Sequence, residues 1–139
     1  EFKLKKWRVT PQFVYQYTGG VLAYRLPNYF GSLKFGYSFK TFKKSLSVFT
    51  GLKLTYYGDV ELMSYSPSLG QFYLANNNNV GNYPFVDFFI NTRIKSVRLF
   101  FALTHLNAGL AKQNNYFGAQ HYPLEDRAYK IGINWNFLK

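Results

Sequence analysis

Apolar and polar residues alternate with period two through segment after segment of this chain. Leu46, Val48, Thr50, Leu52, Leu54 and Tyr56 make one row, and Ser45, Ser47, Phe49, Gly51, Lys53 and Thr55 make the other. In an extended strand two such rows lie on opposite faces. The pattern recurs with Trp7, Val9, Phe13, Tyr15 and Tyr17 against Arg8, Thr10, Gln12, Val14 and Gln16. It recurs again with Leu33, Phe35, Tyr37 and Phe39, with Val86, Phe88, Ile90, Thr92 and Ile94, and with Val97, Leu99, Phe101 and Leu103. Tyr129, Ile131, Ile133, Trp135 and Phe137 close the series. Tyr, Phe, Val, Ile and Thr favour the pleated, half-buried surface of a strand. The sequence therefore predicts an all-β chain of about seven or eight antiparallel strands, without a domain boundary. One of these is a short segment over residues 20–26, after the turn Thr18-Gly19-Gly20. The polar stretches at about 57–83 and 107–125 interrupt the alternation. Pro67, Gly70 and the run Asn76, Asn77, Asn78, Asn79 mark the first as a loop.

Several classes are excluded at once. Aromatic residues make up 22% of the chain, far too many for intrinsic disorder. The absence of cysteine rules out a disulfide scaffold and a thiolate metal site. No run approaches the roughly 20 apolar residues of a spanning helix. The chain opens at Glu1 without a Met or a leader, as expected of a processed or truncated product.

Strand alternation fits a soluble barrel and a membrane barrel alike, and two features separate them. Short turns, at Thr41-Phe42-Lys43 and at Lys95-Ser96, alternate with the long polar stretches. Outer-membrane barrels have short periplasmic turns and longer extracellular loops, so 57–83 and 107–125 are expected to be extracellular. The apolar rows run for about the ten residues a tilted strand needs to cross a bilayer. Their ends carry Trp7, Tyr17, Phe39, Tyr56, Tyr129, Trp135 and Phe137, as aromatic girdles do. The opposite rows mix Ser, Thr, Asn, Gln and Gly with a few charges, which reads as a wet interior. Backbone groups in hydrocarbon have no water to bond, so such a sheet must close. About eight strands would close with an interior filled by side chains, whereas a conducting lumen takes roughly 16. The chain is thus a small closed barrel or the C-terminal part of a larger one.

The last strand carries the most specific motif. Lys130-x-Gly132-x-x-Trp135-x-Phe137 resembles the terminal β-signal that the barrel assembly machinery reads by strand pairing. Beyond it, an ordered series runs through Leu26-Pro27, Tyr29-Phe30, Thr50-Gly51, Tyr65-x-Pro67 and Phe72-Tyr73. It continues in Gly81-Asn82-Tyr83-Pro84-x-Val86-Asp87-x-Phe89-x-Asn91, His105-x-Asn107, Tyr116-Phe117, Tyr122-Pro123 and Arg127. In this order and rough spacing the chain resembles the Bacteroidota putative porin family. Members are considerably longer, so the resemblance implies the C-terminal portion of a large outer-membrane β-barrel from a Gram-negative cell. The end of a TonB-dependent receptor shares part of the pattern.

The formal net charge is +11. By the alternation, Arg8, Lys34, Lys53, Arg93, Arg98 and Lys130 belong to the polar rows, with Asp87 the only acid there. If these residues line a lumen, their field favours anions. The plainer reading makes them solvated charges or partners of acids elsewhere. A nucleic-acid site interleaves exposed aromatics with Lys and Arg on one face. Here the two mostly occupy opposite rows, which argues against nucleic acid.

Catalytic constellations are absent from the sequence, and no cofactor or metal is expected. His105 falls at a strand end and His121 in a loop. Glu125-Asp126 reads as a turn opening the last strand, and Asp59 and Glu61 lack the spacing of a Ca²⁺ loop. A pairing of Ser64 with His121 in a lipase-type site carries little weight. The leading expectation is a porin-like barrel in the outer membrane, passing small solutes passively, touching lipid, and meeting the assembly machinery transiently. Its long loops are candidate constrictions or partner surfaces. The alternatives are a TonB-dependent transporter segment, a small barrel acting as adhesin or anchor, and a soluble lipid-binding barrel. The last of these would point its apolar rows inward.

Overall fold

The computed structural model describes the chain except residues 18–25, 43–44, 111–116, 120–121 and 138–139, and except the side chains of 62, 74–78, 117–119 and 122–123. The segment expected over 20–26, and His121, therefore fall wholly or mostly outside the described residues. Among those described there are strands and turns and no helix.

Seven strands form one antiparallel sheet in the order β1-β2-β3-β4-β7-β8-β11. They are β1 (Phe2–Leu4), β2 (Trp7–Tyr15), β3 (Tyr29–Thr41), β4 (Leu46–Tyr57), β7 (Phe85–Ile94), β8 (Val97–Thr104) and β11 (Ala128–Trp135). Each pairs with its neighbour in the chain once the excursions between β4 and β7 and between β8 and β11 are set aside. Among the described residues β1 and β11 do not pair with each other, so the sheet is open.

The register keeps each row intact across the sheet. Phe35 faces Leu52, which faces Phe88, which faces Leu103, which faces Tyr129. The Leu, Ile, Val and Phe rows thus merge into one continuous apolar face. Among the described residues nothing covers it: Phe13 is 73% exposed, Leu52 46% and Ile131 76%. The apolar rows of the described residues are not enclosed, as those of a lipid-carrying soluble barrel would be. The buried apolar set among the described residues is small (Val80, Tyr83, Phe89 and Ala108).

Connections differ in length by end. Lys5-Lys6, the turn from Phe42 to Ser45, and Lys95-Ser96 join strands at one end. Each holds a residue with positive φ, at Lys5 (56°), Phe42 (47°) and Lys95 (49°), the backbone sign that tight hairpins need. All the long connections lie at the other end. The aromatic ends divide accordingly. Trp7, Phe39, Trp135 and Phe137 sit at the turn end, where Trp7 stacks on Phe35 at 4.8 Å and Trp135 on Phe137 at 4.6 Å. Tyr56 and Tyr129 belong to the loop end.

One expectation is corrected. Residues 57–83 are not an irregular loop but carry a hairpin, β5 (Val60–Ser66) with β6 (Gln71–Val80). The turn closes with the Gly70 amide donating to the Ser66 carbonyl at 2.9 Å. Asn76 to Asn79 fall within β6, against their strand propensity. Pairing outweighs it, since Val60 faces Val80 and Tyr65 packs on Phe72 at 5.0 Å. The second long connection also pairs briefly, as β9 (Phe117–Ala119) with β10 (Tyr122–Pro123).

Candidate functional site

Opposite the apolar face, the sheet presents cross-strand rows that the register fixes. Nearest the turns run Lys40, Ser47, Arg93, Arg98 and Asn134. The next row holds Ser38, Phe49, Asn91, Phe100 and Gly132, and the third Arg8, Gly36, Gly51, Phe89, Ala102 and Lys130. Thr10, Lys34, Lys53 and Asp87 form a fourth, toward the loops. All seven charged residues assigned to the polar rows therefore share this face.

They do not act as one cluster. Arg8 pairs with Glu1 at 2.9 Å and lies 4.9 Å from the Phe49 ring centre. Lys34 stands 4.4 Å over Phe89 and 5.5 Å from Phe49. Such cation–π contacts contribute about 0.5–1 kcal/mol each when exposed, and the half-exposed Arg8–Glu1 pair adds little. Lys53 has Lys34 on one side and Asp87 on the other in register. Asp87 turns its Oδ1 to accept the His105 amide at 3.0 Å. Arg93 and Arg98 face each other directly, with Nε of Arg93 donating to the Lys95 carbonyl at 3.3 Å.

The wall is also more aromatic than the alternation suggests. Phe49, Phe89 and Phe100 lie on the same face as the bases. A β-carbon at Gly36 would collide with the Phe49 ring, and one at Gly132 with the Phe100 ring. Glycine there lets the rings lie against the backbone rather than project from it. A recess of about 1200 Å³ opens over the turn-side rows. Lys6, Arg8, Lys40, Arg93 and Arg98 border it, with Phe49 and Phe100 in its lining and no carboxylate among the lining residues. Apart from Glu1, the acids stand toward the loop end, at Asp59, Glu61, Asp87, Glu125 and Asp126.

A second polar group, at the loop rim, holds the long connections to the sheet. His105 is 3% exposed, with φ of 54°. Its Nδ1 faces the Glu125 carbonyl at 3.1 Å, which can only accept, so Nδ1 carries a proton. Its Nε2 lies 3.0 Å from the Tyr83 oxygen, and the Tyr83 hydroxyl donates to the Asn107 carbonyl at 3.0 Å. The side-chain amide of Asn107 donates to the Tyr83 oxygen at 2.9 Å and its Oδ1 accepts the Val86 amide at 3.1 Å. Burial holds the Tyr83 phenol above its ordinary value. Nearby, Asn82 accepts the hydroxyls of Tyr29 and Tyr56, both at 3.0 Å, and donates to Asp59 at 2.8 Å. Arg127 donates to the Ala108 carbonyl at 2.9 Å. Sequence reasoning assigned this network no role, although Tyr83-Pro84 and His105-x-Asn107 stood in the ordered series.

The terminal motif divides between faces. Lys130 and Gly132 belong to the polar wall, while Trp135 and Phe137 stack at the apolar turn end. Among the described residues no group of His, Asp and Glu is arranged to hold a metal. Ser64 is buried, and Asp59 is engaged with Asn82.

Neither curated proteins nor solved structures yield a match. A family model described as "Putative porin" matches residues 1–139. With its antiparallel strands, bare apolar face and basic wall, the chain belongs to the putative porin family.

Proposed function

We propose that this sheet is part of the wall of a transmembrane β-barrel in the outer membrane, through which small solutes diffuse with a preference for anions. The observation that carries the reading is the division of the sheet into two faces. One is continuous, apolar and uncovered; the other is polar and basic. A lipid bilayer covers the first without a partner protein, and water solvates the second. The dimensions agree. At about 3.3 Å per residue and a tilt near 40°, the 13 residues of β3 reach roughly 33 Å along the barrel axis, enough to cross the hydrocarbon.

Seven strands with open edges do not enclose a water-filled lumen of porin width. Further strands complete the wall, and this segment is the C-terminal portion of a Bacteroidota porin, with β11 as the strand that the assembly machinery pairs. The short turns face the periplasm. The β5–β6 hairpin and the connection before β11 face outward, where they narrow the entrance or meet partner proteins.

Reconstitution of the full-length protein in planar bilayers tests the reading. A salt gradient is expected to give a reversal potential of anion-selective sign. Absence of conductance, or cation selectivity, overturns it.

A further inference from the structure

The basic wall is unevenly committed. Arg8 is shared between Glu1 and Phe49, Lys34 between Phe89 and Phe49, and Asp87 is taken by the His105 amide. Arg93 and Arg98 contact neither an acid nor an aromatic ring among the described residues, and Nε of Arg93 donates to the Lys95 carbonyl. They are direct cross-strand partners on the β7–β8 hairpin, both exposed, and among the described residues neither has an ion-pair partner. Like charges directly opposite repel, and among the described residues no carboxylate offsets them. A carboxylate seated between them would, since guanidinium groups offer planar forks that match it.

The next row supplies a second element. Phe100 is two residues from Arg98 on the same face, roughly 7 Å along the strand. Its ring rests where a Gly132 side chain would be, and 47% of the residue is exposed. Unlike Phe49 and Phe89, it carries no cation over its face among the described contacts. Asn91 lies opposite Phe100 and Asn134 opposite Arg98, and each offers both a donor and an acceptor. All five residues border the one recess.

We infer that Arg93, Arg98 and Phe100 form a binding subsite on the channel wall for organic anions that combine a carboxylate with a flat apolar face. The arginine pair takes the carboxylate, the ring takes the face, and the two asparagines serve neighbouring hydroxyl or carbonyl groups. The inference rests on the proposed reading that this face lines water. Two ligand sources share the chemistry: aromatic acids, through ring stacking, and sugar acids, through the C–H face of the ring.

Calorimetric titration of the full-length protein, folded in detergent, separates these terms without relying on conductance. The probes are benzoate, glucuronate, acetate and neutral benzyl alcohol. Benzoate, glucuronate or both are expected to bind about three- to ten-fold more tightly than acetate, and benzyl alcohol more weakly than benzoate. Which of the two acids leads identifies the source. Phe100→Ser should bring the preferred acid level with acetate, whereas Phe100→Tyr, which keeps the ring, should retain the preference. Arg93→Ser with Arg98→Ser should weaken every anion. Equal binding of acetate and both larger acids, benzyl alcohol matching benzoate, or a preference that survives Phe100→Ser overturns the subsite. Binding without conductance would overturn the channel and keep the subsite; conductance without preferential binding would do the opposite.

Discussion

The ring of Phe100 occupies the space that a β-carbon on Gly132 would take. The two residues are direct partners between β8 and β11. Gly132 thus has a packing role in addition to its place in the terminal motif. Gly132→Val is expected to push the ring off the sheet and to destabilise the folded protein by about 1–3 kcal/mol, the usual cost of overpacking. Combining it with Phe100→Ala should recover most of that loss, because the clash disappears with the ring. Urea unfolding in detergent or lipid measures both. Additive losses in the double variant would show that the ring and the glycine are independent.

The two faces should respond oppositely to charge. Leu52 and Phe101 lie on the uncovered apolar face, and Asn91 on the polar wall. Leu52→Lys or Phe101→Lys is expected to cost roughly 2–4 kcal/mol near the bilayer midplane. Asn91→Lys should cost well under that, because water solvates the new ammonium. Equilibrium unfolding from lipid vesicles makes the comparison. Similar small effects at all three positions would place the apolar face outside the membrane.

Tyr83 is the hub of the loop rim, within hydrogen-bonding reach of His105 Nε2 and the Asn107 side chain. Tyr83→Phe removes both of these hydrogen bonds and is expected to cost about 1–3 kcal/mol at neutral pH. The contribution also depends on pH. An unfolded tyrosine loses its proton near pH 10, whereas burial raises the value for Tyr83 in the folded chain. The raised value favours the protonated folded form. Its stabilisation is complete below about pH 10 and is lost as pH climbs through the folded value. Unfolding midpoints of the native chain and of Tyr83→Phe should therefore converge above about pH 10. A constant gap across that range would mean that burial of the phenol does not carry the effect.

What the sequence made legible follows from which interactions are local. Period two depends only on strand geometry, so the faces of Arg8, Lys34, Arg93 and Lys130 could be assigned residue by residue. Asn76 to Asn79 misled because their strand depends on β5, a partner that propensity does not see. Phe49, Phe89 and Phe100 were visible in the polar rows. That Phe49 and Phe100 lie flat depended on Gly36 on the neighbouring strand and on Gly132, more distant in sequence, and alternation along one strand does not reveal such neighbours. His105 was read by its position at a strand end. Its burial comes from Tyr83 and Glu125, each about 20 residues away in the chain, so only a fold brings the network together.

Asp87 joins the rim to the wall. It is the acid of the fourth row, beside Lys53 in register, yet its carboxylate accepts the amide of His105. Asp87→Asn keeps an acceptor but removes the charge, which reduces a charge-assisted hydrogen bond to an ordinary one, a loss of about 1 kcal/mol. It also removes the wall's negative charge beside Lys53. The variant should therefore be slightly less stable and more anion-selective than the native protein, two changes that a purely structural role would not couple. Thermal unfolding and reversal potentials on the same preparation test the coupling. A stability loss with unchanged selectivity would place Asp87 outside the field that permeating ions feel.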